Sequence, residues 1–247
     1  MVFWMSRILI SICSAGGKPR PCLESIRKYC ANAPADLPMA MTVAYNAPSI
    51  YAGHQSNLLA CNLSDRDIVV MCHDDVEILG HHQEFHRLLQ LALLDGVGFL
   101  GVAGATHLDE KATWWNARNI GAARGFVFQG EDNLFRLPND FGPQGQVVVL
   151  DGCFLACSYA TLKSVGWEKP DYLSSDWDFY DIHLTSQAHL RGLRNYTIPL
   201  LIRHESNGEM RPGWSTSRDE FVRFHRGKLP MTIPFRETHG FPGRWQS

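Results

Sequence analysis

The sequence predicts an α/β protein whose mostly parallel central sheet is flanked by helices, as in a Rossmann-like, doubly wound fold. Apolar segments rich in β-branched residues alternate with amphipathic segments through residue 103, which predicts the order β-α-β-α-β-α-β. The run Ile68–Cys72 contains no polar break, as expected of a strand covered on both faces. Hydrophobic residues make up 45% of the chain, enough for a sizeable core.

Turn residues separate the elements of the first half of the chain. Strands are predicted at residues 7–14, 38–46, 67–72 and 97–103. Helices are predicted at residues 22–29, 49–63 and 82–94. Pro21 and Pro48 stand at the starts of the first two helices, where proline suits the first turn. Strands joined by helices pair in parallel through right-handed crossovers, so this half predicts the nucleotide-binding part of the sheet.

The second half of the chain is less regular. Residues 104–146 are rich in glycine and proline and lack sustained periodicity, which predicts a loop insertion with a short hairpin near 125–129. Further strands are predicted at 147–150, 154–158 and 196–203, and helices at 161–165, 177–189 and 219–226. The tail, 229–247, is expected to wrap over the surface. No internal repeat is visible, so we expect a single domain over residues 1–247.

Charge and cysteine content limit the classes of function. The formal net charge of −2 argues against a broad electrostatic grip on nucleic acid or on an anionic membrane. The seven cysteines form no CxxC motif, and several lie in apolar runs, which favours a reduced, cytoplasmic protein. The apolar run at residues 8–13 is too short to span a bilayer, so we expect no transmembrane segment. Peripheral contact with a membrane stays open.

His73, Asp74 and Asp75 follow the strand at 67–72 directly. Open α/β sheets bind ligands at the carboxyl ends of their strands, which is where these side chains are expected. Two adjacent carboxylates repel each other there unless a divalent cation, bridging to a phosphorylated ligand, compensates their charge. The alternative is a solvated Asp-Asp turn before a helix.

Asp181 and His204 are the chemical candidates of the second half. Asp181 lies in the helix predicted at 177–189, beside its buried face, so that its carboxylate can point into a pocket. His204 follows the strand at 196–203 and can reach the same cation as Asp75. Histidine and carboxylate ligands together suit Mn²⁺ better than Ca²⁺. A surface acid and a satisfied strand-end histidine are the alternatives.

Four segments, in this order, resemble the metal-dependent GT-A glycosyltransferases of the bacterial family 2-like group. His73-Asp74-Asp75-Val76 resembles the DxD region, and Asp151-Gly152-Cys153-Phe154 resembles the acceptor-side strand. Tyr180-Asp181-Ile182-His183-Leu184 resembles the EDxDL helix, and the segment 199–206, with His204, resembles the closing PxxxxxH strand. Together they cover residues 5–206 and imply a GT-A-like fold.

The resemblance implies a role for each acid and for His204. Asp75 would bind the metal, Mn²⁺ or Mg²⁺, and His204 would be the other protein ligand. Asp74 would assist through a metal-bound water or the ribose of the donor. Asp181 would be the general base. The donor would be a nucleoside-diphosphate sugar, and the acceptor a hydroxyl of a saccharide or glycoconjugate, with inversion at the anomeric carbon.

The resemblance also divides the chain. Residues 5–103 would bind the donor, 104–206 would carry the acceptor site and the base, and 207–247 would form a C-terminal helix and tail. Three groups of residues complete the predicted site: Ser11, Ser14, Asn46, His73 and Asp74 at the nucleotide; Trp114, Trp115, Asp151 and Gly152 at the acceptor; Arg211 and Arg218, with Arg223 and Lys228, as a diphosphate clamp. Loop packing for the tryptophans and a solvated face for the basic residues stay open as alternatives.

The chain departs from the family pattern at three positions. His73 stands where the first acid of the DxD region is usual, Tyr180 replaces the Glu of the ED pair, and His183 replaces the second Asp of EDxDL. The first two departures bear on the nucleotide and metal contacts, and the third on the surroundings of Asp181.

Two other functions are compatible with the sequence. A sugar-phosphate nucleotidyltransferase also uses a metal-binding acid on a doubly wound sheet, and Ala15-Gly16-Gly17-Lys18 weakly resembles its glycine-rich phosphate loop. A non-catalytic carbohydrate-binding protein would keep Trp114 and Trp115 but would need neither Asp75 nor His204.

Overall fold

The computed structural model describes residues 6–14, 16, 21–130, 139–206 and 210–234. The strands are β1 (Ile8–Ser14), β2 (Met39–Tyr45), β3 (Ile68–Cys72), β4 (Val76–Ile78), β5 (Val97–Gly101), β6 (Ala103–Ala105), β7 (His107–Leu108), β8 (Ala123–Gln129), β9 (Asn139–Gly142), β10 (Gln146–Val147), β11 (Val149–Leu150), β12 (Phe154–Ser158), β13 (Arg194–Thr197), β14 (Ile202–His204) and β15 (Met231–Thr232). The helices are α1 (Pro21–Ala31), α2 (Ile50–Leu59), α3 (His82–Leu89), α4 (Tyr159–Val165), α5 (Tyr180–Leu190) and α6 (Pro212–Phe224), with 3₁₀ helices at Gln90–Leu93 and Trp114–Ile120. Most of the predicted glycine-rich turn after β1, and residues 235–247 of the predicted tail, lie outside the described residues.

The central sheet has seven strands in the order β10-β13-β5-β12-β3-β1-β2. Its strands pair in parallel at β1–β2, β1–β3 and β5–β13, and antiparallel at the other three contacts. The sheet is therefore mixed, and the mostly parallel sheet predicted from the sequence is not confirmed. Two of the antiparallel contacts come from β12, which enters between β3 and β5 from their carboxyl ends without a crossover helix, and the third is that of β10 with β13.

Both faces of this sheet are covered, as the apolar runs predicted. Alternate residues of β1 belong to different apolar clusters: Ile8, Ile10 and Ile12 pack with α1 and α3, whereas Leu9 and Cys13 pack with α2, α4 and α5. This is the period of two that a strand imposes on its side chains. In the described part of the chain, no helix is long and apolar enough to cross a membrane.

A second sheet, in the order β11-β6-β8-β14-β4 with β9 paired to β8, takes β8 and β9 from the region predicted as a loop insertion. Residues 125–129, predicted as a short hairpin, belong to the single strand β8, which pairs with β9, and the expectation of loops in the other described residues of 104–146 was wrong. Glycines interrupt the apolar alternation typical of strands here, because they lie where two backbones are in close contact and leave no room for a side chain. A Cβ at Gly104 would lie 2.2 Å from the Val149 carbonyl oxygen, and one at Gly125 would lie 1.9 Å from that of Val102.

Two predicted elements have different bounds near the site. The strand predicted at 196–203 is broken into β13 in the central sheet and β14 in the second sheet, with Pro199, which has no N–H for a ladder, between them. The helix predicted from Trp177 begins at Tyr180, because Phe179 has a left-handed φ of 66°. This break turns the first residues of α5 toward the carboxyl end of β3.

Candidate active site

Three segments meet at the carboxyl end of β3. Antiparallel pairing places Phe154 of β12 beside Cys72, so that the turn before β12, with Asp151 and Gly152, lies next to His73. The His73 amide donates to the Cys153 carbonyl at 3.1 Å. In the second sheet, β14 pairs antiparallel with β4, and His204 faces Val76, the residue after Asp75. Strand register therefore brings His204 beside Asp75, although the two residues are 129 apart in sequence.

The pairing of β4 and β14 is reinforced by charge. The Arg203 guanidinium contacts Glu77 at 2.9 Å and Glu205 at 3.2 Å. The Glu205 amide donates to the Asp75 carbonyl at 2.9 Å. These contacts fix the register that holds His204 beside Asp75.

His73, Asp75 and His204 form a cluster that fits a metal ion. Nε2 of His204 lies 3.2 Å from Oδ1 of Asp75 and 3.4 Å from Nδ1 of His73, and the third separation, between His73 Nδ1 and Asp75 Oδ1, is 3.9 Å. Ligands about 2.1 Å from a common cation lie about 3.0–3.5 Å apart. Two imidazoles and a carboxylate are a donor set for a first-row divalent metal. Among the described residues, this is the one cluster of its kind.

Tyr180 fixes the protonation of His73. The Tyr180 hydroxyl donates its single proton to the Gly152 carbonyl at 2.7 Å, so it accepts a hydrogen bond from Nε2 of His73 at 3.1 Å. The His73 proton is therefore on Nε2, and the lone pair of Nδ1 points at the cluster. Burial, followed by the neighbouring His204, lowers the pKa of His73, which keeps the imidazole neutral, as a metal ligand must be.

Asp181 lies in the first turn of α5, on the other side of Gly152. Its Oδ2 accepts the Gly152 amide at 2.8 Å. Burial, and then the nearby Asp151, raise the pKa of Asp181 to about 7. A carboxylate with a pKa near neutrality is suited to accept a proton from a hydroxyl.

Gly152 is held between these two side chains. A Cβ there would lie 2.4 Å from Oη of Tyr180 and 2.9 Å from Cβ of Asp181. Gly152→Ala is therefore expected to lower the free energy of unfolding by about 1–3 kcal/mol, the usual cost of overpacking. Urea denaturation measures it, with Gly227→Ala as the control, since a Cβ at Gly227 meets no atom within 4 Å. Equal stability of the two variants would contradict this packing.

Asp74 points toward β1 and away from the metal cluster. Ser14, the last residue of β1, donates to Oδ2 of Asp74 at 2.6 Å. This bond joins the carboxyl ends of β1 and β3 at the edge where the nucleotide pocket was predicted.

A cavity of about 680 Å³ opens over these residues. Ten of the residues predicted for the site line it: His73, Asp74, Asp75, Trp114, Trp115, Asp151, Gly152, Asp181, His204 and Arg211. The Arg211 guanidinium lies 5.7 Å from the centre of the Trp177 ring at this cavity. Trp115 packs against Trp214, with ring centres 5.0 Å apart.

Four predicted site residues do not line the cavity. Ser11 is fully buried and is hydrogen-bonded to His54 at 2.7 Å and Asn57 at 3.0 Å, beneath α2. Ser14 contacts two lining residues, Asp74 and Gly16. Asn46 is exposed after β2, and Arg218 pairs with Asp219 and lies over the Trp214 ring. Two further candidates for the clamp, Arg223 and Lys228, are exposed outside the cavity.

Several lining residues escaped prediction. The cavity also includes Asn116, Arg118, Asn119, Gln129, Asn139, Phe141, Trp177, Tyr180 and Trp214. The replacement of Glu by Tyr180 was the available signal for that residue. Asn116 and Asn119 lie on a 3₁₀ helix and Asn139 on a strand that were not predicted, and the hairpin predicted near 125–129 gave no sign that Gln129 would face the cavity.

Solved structures that are similar to this chain are only distant in sequence and fold. The match to a crystal structure of A197 from STIV covers 82% of this chain and 87% of the A197 chain, at 14% identity and a TM-score of 0.48. The match to a structure of CMP:2-keto-3-deoxy-manno-octonic acid synthetase complexed with CTP covers 91% of this chain and 100% of the synthetase chain, at 10% identity and a TM-score of 0.39. With TM-scores below 0.5, these likenesses carry no weight for function. No curated protein sequence matches the chain.

The sequence itself matches a family over most of its length. The model of a family described as "Glycosyltransferase like family" matches residues 15–225, which include the metal cluster and Asp181. The chain therefore belongs to this glycosyltransferase family, and the protein is a glycosyltransferase.

Proposed function

We propose that the protein is a metal-dependent, inverting glycosyltransferase. It moves a sugar from a nucleoside-diphosphate sugar to a hydroxyl of a saccharide or glycoconjugate. The observation that carries the proposal is the placement of a metal-type cluster and a carboxylate of raised pKa in one cavity, on either side of Gly152. A sugar-phosphate nucleotidyltransferase does not need such a base. The family match favours glycosyl transfer over nucleotidyl transfer and over non-catalytic carbohydrate binding.

His73, Asp75 and His204 would hold the metal, and their nitrogen-rich donor set favours Mn²⁺ over Mg²⁺. A bound divalent cation neutralises the charge that develops on the departing diphosphate. Asp74, bonded to Ser14, closes the end of the cavity nearest β1, where the nucleotide would lie. Arg211, at the rim, can approach the diphosphate through its exposed guanidinium.

Asp181 would accept the proton of the acceptor hydroxyl as that oxygen attacks the anomeric carbon. The amide of Gly152 holds Oδ2 of Asp181 in place, which orients the carboxylate at the cavity. Direct attack assisted by one base inverts the anomeric centre. Trp115, packed on Trp214, offers an aromatic surface for the acceptor sugar, and the buried Trp114 anchors it.

A thermal-shift panel tests the proposal. The protein is heated with UDP-, GDP-, dTDP- and CMP-sugars, each with Mn²⁺ and with EDTA. Binding to the folded protein raises the melting temperature, and the rise grows as the ligand concentration exceeds Kd. We expect one nucleoside-diphosphate sugar to stabilise the protein in Mn²⁺ and to lose this effect in EDTA. Stabilisation that survives EDTA would contradict the metal requirement.

Tyr180→Phe tests whether Tyr180 positions His73. The variant leaves the Nε2 proton of His73 unpartnered, so we expect Mn²⁺ affinity, measured by calorimetry without nucleotide, to fall about 10- to 100-fold. Tyr172→Phe is the matched control, because the Tyr172 hydroxyl bonds Nδ1 of His183 at 2.7 Å, outside the metal cluster. Loss of packing would affect the melting temperature of either variant, but only the first should lose Mn²⁺ affinity. Equal Mn²⁺ affinities would refute the role of Tyr180.

A further inference from the structure

Gln129 and Asn139 form a pair of side-chain amides inside the cavity. Nδ2 of Asn139 donates to Oε1 of Gln129 at 2.7 Å. Both residues line the cavity and both are half-buried. This bond uses the NH₂ group of Asn139 and the carbonyl oxygen of Gln129. The NH₂ group of Gln129 and the carbonyl oxygen of Asn139 are then available to a ligand.

Strand register fixes the position of this pair. β8 pairs in parallel with β14, and Gln129 is the direct partner of His204. The amide of Gly130 donates to the His204 carbonyl at 3.2 Å, which continues the pairing. Directly paired residues project from the same face of a sheet, with Cβ atoms about 5 Å apart. Gln129 therefore stands immediately beside a member of the metal cluster.

Asn139 shares this face. It pairs with Val127, which lies two residues before Gln129 on β8, so Asn139 is the diagonal neighbour of Gln129. A diphosphate bound at the metal cluster places the sugar attached to it within the next few ångströms. The amide pair is the polar surface of the second sheet that borders this position.

We propose that Gln129 and Asn139 bind the hydroxyl groups of the transferred sugar and select an uncharged hexose. This inference rests on the donor chemistry proposed above. An NH₂ group and a carbonyl oxygen side by side match two neighbouring hydroxyls, one accepting and one donating. A sugar carboxylate has no cation in this pair to offset its desolvation and would meet the carbonyl oxygen instead.

Arg118, from the 3₁₀ helix Trp114–Ile120, also lines the cavity. Arg118 stacks on Phe141, 5.0 Å from the ring centre. The register of β8 and β9 takes Phe141 away from Gln129, because residues after Asn139 pair with residues before Val127. The Arg118 guanidinium also donates to the carbonyl of Asp140, the residue after Asn139, so it is engaged by β9, whereas Gln129 pairs directly with His204 of the metal cluster.

Calorimetry in Mn²⁺ separates sugar contacts from nucleotide contacts. The ligands are UDP, UDP-glucose and UDP-glucuronate, with GDP and GDP-mannose added if the protein prefers guanine. The proteins are the parent, Gln129→Ala, Asn139→Ala and, as a matched control, Asn32→Ala, which removes an exposed amide outside the cavity. Retained affinity for the free diphosphate shows that a variant is folded.

We expect each pair variant to bind the hexose donor about 5- to 10-fold more weakly, the effect of one or two hydrogen bonds, with the free diphosphate changed less than about twofold. The control should match the parent, and the glucuronate donor should bind the parent more weakly than the glucose donor. Unchanged hexose affinity, equal loss of diphosphate affinity, or a preference for glucuronate overturns the inference alone. Failure of the parent to bind any nucleoside diphosphate overturns the proposed function and this inference with it.

Discussion

Asp181→Asn is expected to lower kcat about 10²- to 10⁴-fold, the usual contribution of a general base. The amide oxygen of asparagine can still accept the Gly152 N–H, so the helix start should keep its geometry. Donor binding and Mn²⁺ binding should therefore stay within about threefold of the parent. Rates and calorimetry on the same preparations measure both quantities.

Asp178→Asn is the matched control. Asp178 also lines the cavity, but Oδ2 of this residue accepts the Ser175 hydroxyl at 2.7 Å in the turn before α5. Turnover of this variant should stay near that of the parent. If Asp181→Asn loses donor affinity as strongly as turnover, Asp181 is a binding group and not the base.

The raised pKa of Asp181 adds a signature in pH. With a pKa of about 7 for Asp181, turnover should rise about tenfold per pH unit below neutrality and level off above it, because only the carboxylate accepts the proton.

Between the ordinary aspartate pKa of 3.8 and about 7, the folded protein keeps a proton on Asp181 that the unfolded chain releases. The contribution of Asp181 to stability therefore falls as pH rises through that window. Asp181→Asn should raise the melting temperature of the metal-free protein more at about pH 8 than at about pH 4.

Removal of His73, Asp75 or His204 should have the second large effect. Each replacement by alanine leaves two of three converging ligands, and we expect Mn²⁺ affinity to fall at least about 100-fold, with nucleotide affinity in Mn²⁺ falling in parallel. His107→Ala is the control, since this histidine bonds Thr232 outside the cavity. The His73 variant is the most informative of the three, because the family pattern has an acid and not a histidine at this position. Normal Mn²⁺ binding by His73→Ala would reduce the site to Asp75 and His204.

Local pattern predicted the elements that depend on local sequence. The strands ending at Ser14 and Cys72 and the helices α1 and α3 follow from apolar periodicity and turn residues within one window. The direction of β12 and the second sheet depend on pairings between distant segments, which periodicity does not encode. Ser11 shows the same limit: its strand and the helix that carries His54 and Asn57 were both predicted, but not that this helix covers Ser11.

The candidate site was predicted in part, for a physical reason. Asp75, Asp181 and His204 are single residues at the ends of recognisable elements, so sequence order sufficed to place them near one cavity. The third member of the cluster, His73, is assigned to the nucleotide by the sequence, because it stands where the first acid of the DxD region is usual. Its orientation in the cluster depends on Tyr180, 107 residues away. The amides of Gln129 and Asn139 become neighbours of the cluster only through the pairing of β8 with β14.

Release of nucleoside diphosphate from the donor selected by the panel tests the central claim most directly. The parent protein, with a saccharide acceptor mixture, is assayed in Mn²⁺, then in EDTA, then with Mn²⁺ restored, beside Asp75→Ala. We expect release in Mn²⁺, none above background in EDTA, recovery on restoring Mn²⁺, and none from Asp75→Ala. Release that continues in EDTA, or undiminished release by Asp75→Ala, would contradict a metal-dependent transfer at this site.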